Sequence, residues 1–384
     1  MSADPDPAPA GEVTIVAHDI GAVGGMERVL AELVLGLRAL GRPVTVIART
    51  CELPRDAGVA FHRVPGPRRP ALLAYPWFMF AGSLMLRRHR RGVVQATGAI
   101  VLGGVEAIAV HYLHQAGPVT PSRSSPLYRL HASLVSRMLR IAERLCYGRA
   151  ARSKTTFVGV SEGIAAEVRE HFPQLAERVI SIHNGVDTEV FDPRRNAVRA
   201  AELRAHLQVE SARLVAVFVG SEWERKGLEP LIGALAAAPE WDLVVAGAGD
   251  RRHYERLAEK LGVAGSVHWL GVMSDVQVAF ALGETFVLPS SYETFSLVTY
   301  EAAASGLALL ATPVSGVVEL IEQGRNGYLI GRDPEQIASR LRELAADPAL
   351  RERMGQAARE SALRFSWQAM VAKYDRLYSR LQRS

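Results

Sequence analysis

Two glutamates eight residues apart, Glu293 and Glu301, stand in the stretch SYETFSLVTYE at 291–301. A strand-like run, TFVL (285–288), precedes them and an Ala-rich segment follows. The spacing predicts a helix from Phe295–Ser296 to Ser305, stopped by Gly306. The amides of Thr294, Phe295, Ser296 and Leu297 would then be the free donors of a helix start, a natural seat for an anion. Glu293 precedes that start and Glu301 lies about one turn inside it. A phosphate on the amides would separate the two acids, so they would not share a proton. Glu301 could instead accept two hydroxyls, as from a ribose diol, and Glu293 could hold hydroxyls on the group beyond the phosphate.

A second charged stretch, EWERKG at 222–227, follows the strand-like run LVAVFV. Arg225 and Lys226 at a strand end suit a diphosphate, through a bidentate fork and a point charge. Taken alone, the mixed charges favour a solvated loop balanced by Glu222 and Glu224. Gly24 and Gly25 open a helix after the first strand, where a backbone can approach a ligand closely. They lack the spaced glycines of a dinucleotide fingerprint and are equally compatible with a tight turn.

These residues need elements to carry them. EVTIVA (12–17), PVTVIA (43–48), VVQAT (93–97), EAIAVH (106–111) and TTFVGVS (155–161) read as strands alternating with helical periodicity such as that of 26–40. A second series has LVAVFV (214–219), WDLVVA (241–246), VHWL (267–270), TFVL (285–288) and ALLA (308–311). The pattern predicts an α/β protein of two Rossmann-like, doubly wound domains facing a cleft. Their expected limits are 1–188 and 189–366, with a helix at 367–384 packing back on the first domain. The 384 residues suit two domains.

At this point the chain resembles the large family of retaining, nucleotide-sugar-dependent glycosyltransferases of the two-Rossmann (GT-B) fold. The likeness rests on E-x7-E within SYETFSLVTYEAAASGLALLATPVSGVVELI, on RKG upstream and on GG near the N-terminus. VSE, IHNGVD, VAGAGD and GRNGYL also match. GSEWERKGL and SPLYRLHASLVSRMLRIAERL are similar to the branch containing the lipopolysaccharide-core glucosyltransferase that acts on heptose. The resemblance implies that Arg225 and Lys226 bind the donor diphosphate and Glu301 the ribose. It gives Glu293 and the amides of 294–297 the transferred sugar and its phosphate, and it lets Gly24 and Gly25 close on the donor phosphates. His111 falls where many members place a sugar-contacting histidine; a hydrogen-bonded histidine at a strand end is the alternative, and His114 is a neighbouring competitor. Asp19 and Glu27 near the glycine turn are candidates for contact with acceptor or donor. Most members carry Arg directly after the strand-end glycine. Here that residue is Ser221, and Arg225 is expected to stand in.

The implied reaction moves a hexose from a nucleoside diphosphate, UDP or alternatively GDP, to a hydroxyl with retained configuration. The acceptor would be a cell-envelope glycolipid or polysaccharide. A small-molecule acceptor, or a non-catalytic sugar-nucleotide binder, remains an alternative. No carboxylate pair of the glycosidase kind is recognisable, so a front-face route assisted by the leaving phosphate fits better. No metal or cofactor is expected, since Arg225, Lys226 and the helix start would supply the positive field and the sequence has no His/Cys ligand set.

Two cysteines, Cys51 and Cys146, give no disulfide framework and fit a reducing compartment. The polar, Pro-rich start MSADPDPAPAGE does not read as a secretory signal, so a cytoplasmic location is expected. The net charge of +5 conceals a basic stretch, 63–154, with fifteen Lys/Arg against Glu106 and Glu143. That points to an anionic partner, whether lipid headgroups, a phosphorylated acceptor or nucleic acid; without a recognisable binding motif, nucleic acid is the weakest of the three and is not the partner expected. Within the stretch, ALLAYPWFMFAGSLML (71–86) is charge-free but shorter than a spanning helix and interrupted by Pro76. It reads first as a buried helix with a basic end, and second as an interfacial one. Pro126–Leu145, with Arg129, Arg137, Arg140 and Arg144, reads as a basic amphipathic helix, lying on anionic membrane or packed on its own domain with its arginines in water.

Overall fold

The computed structural model describes residues 11–22, 24–116 and 126–383, with side chains from 129 in the last segment. The N-terminal stretch 1–10 lies outside the described residues. The chain divides into two units, Met1–Asn184 with Trp367–Ser384, and Gly185–Ser366. The expected division stood a few residues later, at 188/189.

The first unit is built on a parallel sheet. Its strands are β1 (Val13–Val16), β2 (Val44–Ala48), β3 (Ala60–Arg63), β4 (Val93–Thr97), β5 (Ala107–Val110), β6 (Thr156–Gly159) and β7 (Val179–Ser181). They lie in the order β3-β2-β1-β4-β5-β6-β7. The inner strands are buried along their whole length, as expected of strands covered on both faces. Helix α1 (Gly25–Ala39) turns Val29, Leu30, Leu33, Val34 and Leu37 toward the core.

Helix α2 (Ala71–His89) departs from expectation in two ways. It runs through Pro76 without ending there. It also buries only Ala74, Phe78, Ala81, Gly82 and Leu86, leaving Leu73, Trp77, Phe80 and Leu84 exposed. An all-apolar run has no polar face to reveal which side meets water, so sequence alone read the helix as buried. Helix α3 (Pro126–Ala150) packs against α2 and buries Ala142, Glu143, Cys146 and Tyr147. Among the described residues no helix is long and apolar enough to cross a membrane.

The second unit carries β8 (Leu214–Val219), β9 (Trp241–Ala246), β10 (Val267–Gly271), β11 (Thr285–Leu288), β12 (Ala308–Ala311) and β13 (Gly327–Leu329). Their order is β10-β9-β8-β11-β12-β13, and every pairing is parallel. The order reverses between β8 and β11. In an open α/β sheet, the carboxyl ends of the strands at such a reversal form a crevice.

The helix Trp367–Arg383 returns to the first unit. Gly36 on α1 makes room for it: a Cβ there would sit 2.4 Å from a methyl carbon of Val371. Arg42, fully buried, ties it down. Its guanidinium donates to Asp375 Oδ1 at 2.8 Å, to Ser379 Oγ at 2.8 Å and to the Gly11 carbonyl at 2.7 Å. Tyr378 OH, also buried, donates to Gln95 Oε1 on β4 at 2.8 Å. Removing a buried charge's hydrogen-bonding partner typically costs a few kcal/mol. We therefore expect Arg42→Ala to destabilise the first unit by about 3 kcal/mol. Urea unfolding followed by hydrogen exchange should show the loss in residues 11–184 and 367–383, with the second unit unchanged. Equal loss in both units would refute the assignment.

Candidate functional site

In the second unit, β8 ends at Val219, and Gly220 turns the chain with φ 147°. A Cβ on Gly220 would meet the Lys226 stem at 2.5 Å, so this glycine lets the lysine fold back over the strand end. Trp223–Lys226 form a single helical turn closed by Gly227, whose φ is 80°. Gly227 also permits close approach to the next strand: its Cβ would stand 2.1 Å from the Pro289 carbonyl oxygen. Trp223 anchors the turn by donating from Nε1 to the Gly220 carbonyl at 2.8 Å.

Across the reversal, β11 ends at Leu288 and the loop 289–296 begins. Four interactions fix it. Ser291 N donates to the Arg225 carbonyl at 2.9 Å, and Thr312 Oγ1 donates to the Ser290 carbonyl at 2.6 Å. Phe295 stacks on Tyr300 with ring centroids 4.2 Å apart, and Tyr300 OH donates to the Gly316 carbonyl at 2.9 Å. Gly316, with φ 80°, lies where a Cβ would strike the Phe295 carbonyl oxygen at 2.1 Å.

Held from both sides, three of the expected residues meet. Lys226 Nζ lies 2.8 Å and Arg225 Nη1 3.2 Å from the same oxygen, Glu293 Oε1. Ser290 Oγ donates to that oxygen too, at 3.0 Å. Arg225 also bonds the Tyr292 carbonyl and Glu222. Lys226 and Glu293 are buried. The solvated loop favoured by the local charge run is thus incorrect for Arg225 and Lys226, because their shared partner Glu293 stands 68 and 67 residues away. Burial alone would raise the Glu293 pKa, but Lys226 and Arg225 outweigh it and hold the carboxyl below the ordinary range. Burial acts against the charged Arg225 as well, yet Glu293 and Glu222 keep its pKa above normal. The site is therefore an ionised, preorganised cluster of two cations and one buried anion.

The second glutamate takes a different place. The helix Leu297–Ala304 starts one or two residues later than expected and ends one residue earlier, and Ser296 at its N-cap is left-handed with φ 63°. In that conformation Ser296 does not cap the helix; its Oγ lies 2.7 Å from Thr299 Oγ1. Glu301 is buried one turn from Leu297, on the face those two residues share. Glu293 and Glu301 are thus two separate positions flanking a helix start.

Sequence reasoning missed Ser290 and Thr312. Only their pairing across the strand ends shows that one holds Glu293 and the other holds the loop. It also missed Gly247 and Gly249 as space-makers. Their Cβ atoms would meet the Gly220 carbonyl at 2.0 Å and the Trp223 ring at 2.3 Å.

The remaining expected residues belong to the first unit. Gly24, with φ 95°, is the N-cap of α1, and Gly25 is its first residue. The adjoining Val23 lies outside the described residues. His111 directly follows β5 and is half-buried; burial lowers its pKa to about 4, so the imidazole is neutral at pH 7. Burial does the same to His114. The turn carrying both is held by Glu143 on α3, which accepts from His114 N at 2.7 Å and Gln115 N at 3.0 Å. Asp19 is paired with Arg49 at 2.5 Å and accepts from Thr50 Oγ1 at 2.7 Å. Glu27 lies in the first turn of α1. Among the described residues no group of three or more His, Cys, Asp or Glu is gathered as metal ligands would be.

Comparison with known proteins agrees with this architecture. Residues 23–190 match the family described as Glycosyltransferase Family 4, and residues 200–361 match Glycosyl transferases group 1. A D-inositol 3-phosphate glycosyltransferase of Streptomyces coelicolor is 28% identical over 94% of this chain and 87% of its own. Its counterpart from Streptomyces avermitilis is 32% identical over 56% of this chain and 49% of its own. The chain thus spans about half the length of that relative. The solved structure of WaaG, a glycosyltransferase involved in lipopolysaccharide biosynthesis, superimposes with a TM-score of 0.78 at 22% identity, over 96% of this chain and 99% of WaaG. Anabaena Alr3699/HepE in complex with UDP and glucose gives a TM-score of 0.72 at 18% identity, over 96% of this chain and 99% of that one. At such identities the structural likeness speaks for the fold. The chain thus matches a family 4 glycosyltransferase model in its first half and a group 1 glycosyltransferase model in its second, on a GT-B fold.

Proposed function

We propose that the protein is a retaining hexosyltransferase using a nucleoside diphosphate sugar. A UDP-sugar is the favoured donor, and the hydroxyl of a cell-envelope glycolipid or polysaccharide is the acceptor. The observation that carries this reading is the Arg225–Lys226–Glu293 cluster at the reversal point of the second sheet, beside a helix start. Lys226 has further donors beyond the one given to Glu293; with the charge of Arg225, whose other donors go mainly to Tyr292 and Glu222, they would take the diphosphate. Both donors to Glu293 and Ser290 Oγ converge on Oε1, so Oε2 is the oxygen assigned to a sugar hydroxyl. Glu301 would accept the ribose hydroxyls, and the amides of Thr294 to Leu297 would face phosphate. The first unit is assigned the acceptor, with neutral His111 as a hydrogen-bonding group on the sugar and Gly24–Gly25 as the close-approach turn for the donor phosphates.

In this mechanism the bond from the anomeric carbon to the diphosphate oxygen breaks, and the acceptor oxygen attacks from the same face. The acceptor proton passes to the departing phosphate oxygen. Arg225 and Lys226 stabilise the charge that develops on the leaving group. Those two cations supply the positive field, so the reaction is proposed to need neither metal nor cofactor. Within the family we place the chain beside the lipopolysaccharide-core branch, an assignment supported by GSEWERKGL and the α3 sequence.

The roles separate experimentally. Glu293→Gln should lower kcat by about 10²-fold or more with little change in nucleotide affinity. Glu301→Gln should instead weaken UDP binding by about tenfold. Steady-state kinetics with titration calorimetry reads both; two identical phenotypes would count against the division. The cluster also predicts a pH signature. The depressed Glu293 pKa contributes stability that is full above the ordinary carboxylate range and lost as pH falls through the folded-state value. The stability gap between wild type and Glu293→Gln should therefore be constant near neutrality and close in acid. A gap that does not narrow on acidification would contradict it.

A further inference from the structure

Helix α2 exposes four large apolar side chains: Leu73 (64%), Trp77 (47%), Phe80 (66%) and Leu84 (38%). Their spacing of four, three and four places them on one stripe of the helix. Pro67, Leu72 and Pro76 join Leu73, Trp77 and Phe80 in lining an open apolar groove. The stripe is bracketed by exposed charge, with Arg68 and Arg69 before the helix and Arg87 and Arg88 in its last turn. Helix α3, packed against α2, repeats the pattern. Leu130, Leu134, Ile141 and Leu145 are exposed, and Arg137 and Arg144 stand exposed among them on the same helical face. If α3 were merely packed on its own domain with its arginines in water, its large apolar residues would be inside.

We infer that the exposed stripes of α2 and α3 form a docking surface for an anionic lipid bilayer, with the helices lying in the interface and not spanning it. Charge selects this occupant. Over 63–154 the acids are Glu106 and Glu143 alone, and Glu143 is buried, so the exposed charge around this stripe is almost wholly positive; arginines flanking Trp, Phe and Leu suit anionic headgroups above acyl chains. The inference rests on the envelope-acceptor reading for its purpose, since it would bring the first unit to a lipid-borne acceptor.

The full-length protein should co-sediment with vesicles of phosphatidylglycerol and phosphatidylcholine. Binding should weaken with salt and fall sharply on pure phosphatidylcholine. Trp77→Glu with Phe80→Glu should reduce binding by at least about tenfold, and so should Arg87→Gln with Arg88→Gln on the anionic vesicles. Brominated lipid should quench wild-type tryptophan fluorescence, and Trp77→Phe should lose most of that quenching, because Trp223, Trp241 and Trp367 are buried and the half-buried Trp269 lies in the second unit. Undiminished binding by the Trp77/Phe80 variant, no binding by wild type, or a variant effect confined to self-association in analytical ultracentrifugation would each overturn the inference. Donor hydrolysis, measured in the same samples without vesicles, should be unaltered by these substitutions and reports separately on the glycosyl-transfer reading.

Discussion

A carboxylate sunk among apolar strand ends would ordinarily be driven to take up a proton. Glu293 escapes that because Lys226, Arg225 and Ser290 converge on a single one of its oxygens. The arrangement is demanding. Removing Glu293 would leave Lys226 buried without its anion, and removing Lys226 would leave Glu293 to Arg225 alone, so the loops that bring them together must be held closely. Gly220, Gly227 and Gly316 are part of that hold, each at a positive φ and each where a Cβ would collide with neighbouring atoms. Thr312 and the Phe295–Tyr300 stack complete it. The sheet order explains why this convergence is available at all: β8 and β11 are neighbours in space although two βα units of chain separate them.

The electrostatic consequence is a site whose charge is set before any ligand arrives. Preorganised charge does more for catalysis than charge that must be reoriented during reaction. Glu301 lies on the following helix, one turn inside it, so the two glutamates occupy distinct positions about one helix start. His111, in the first unit, is neutral by burial and is suited to hydrogen bonding with a hydroxyl more than to binding an anion.

Much of this was legible in the sequence, and what was not has a common cause. LVAVFV, WDLVVA, TFVL and ALLA lie within the buried sheet and were readable as unbroken apolar runs. The strands missed, Ala60–Arg63, Val179–Ser181 and Gly327–Leu329, are all sheet edges, short and in part exposed, so they carry no such run. The E-x7-E spacing and the RK pair were visible. Their connection was not, because Lys226 finds Glu293 through topology and a local charge run cannot announce a distant partner. Helix α2 failed in the opposite sense: an uninterrupted apolar run conceals which side faces water. Its exposed stripe became visible only once the buried positions were known.

The central claim is that the Arg225–Lys226–Glu293 cluster holds a nucleoside diphosphate sugar and releases its sugar with retained configuration. Proton NMR on a panel of such donors, following the anomeric signal of the first product formed, tests it most directly. The account predicts that at least one α-linked donor is consumed, that its product first appears as the α-anomer, and that Lys226→Ala abolishes the signal while leaving the protein folded. A β-anomer as first product, undiminished turnover by Lys226→Ala, or no consumption of any donor would contradict it.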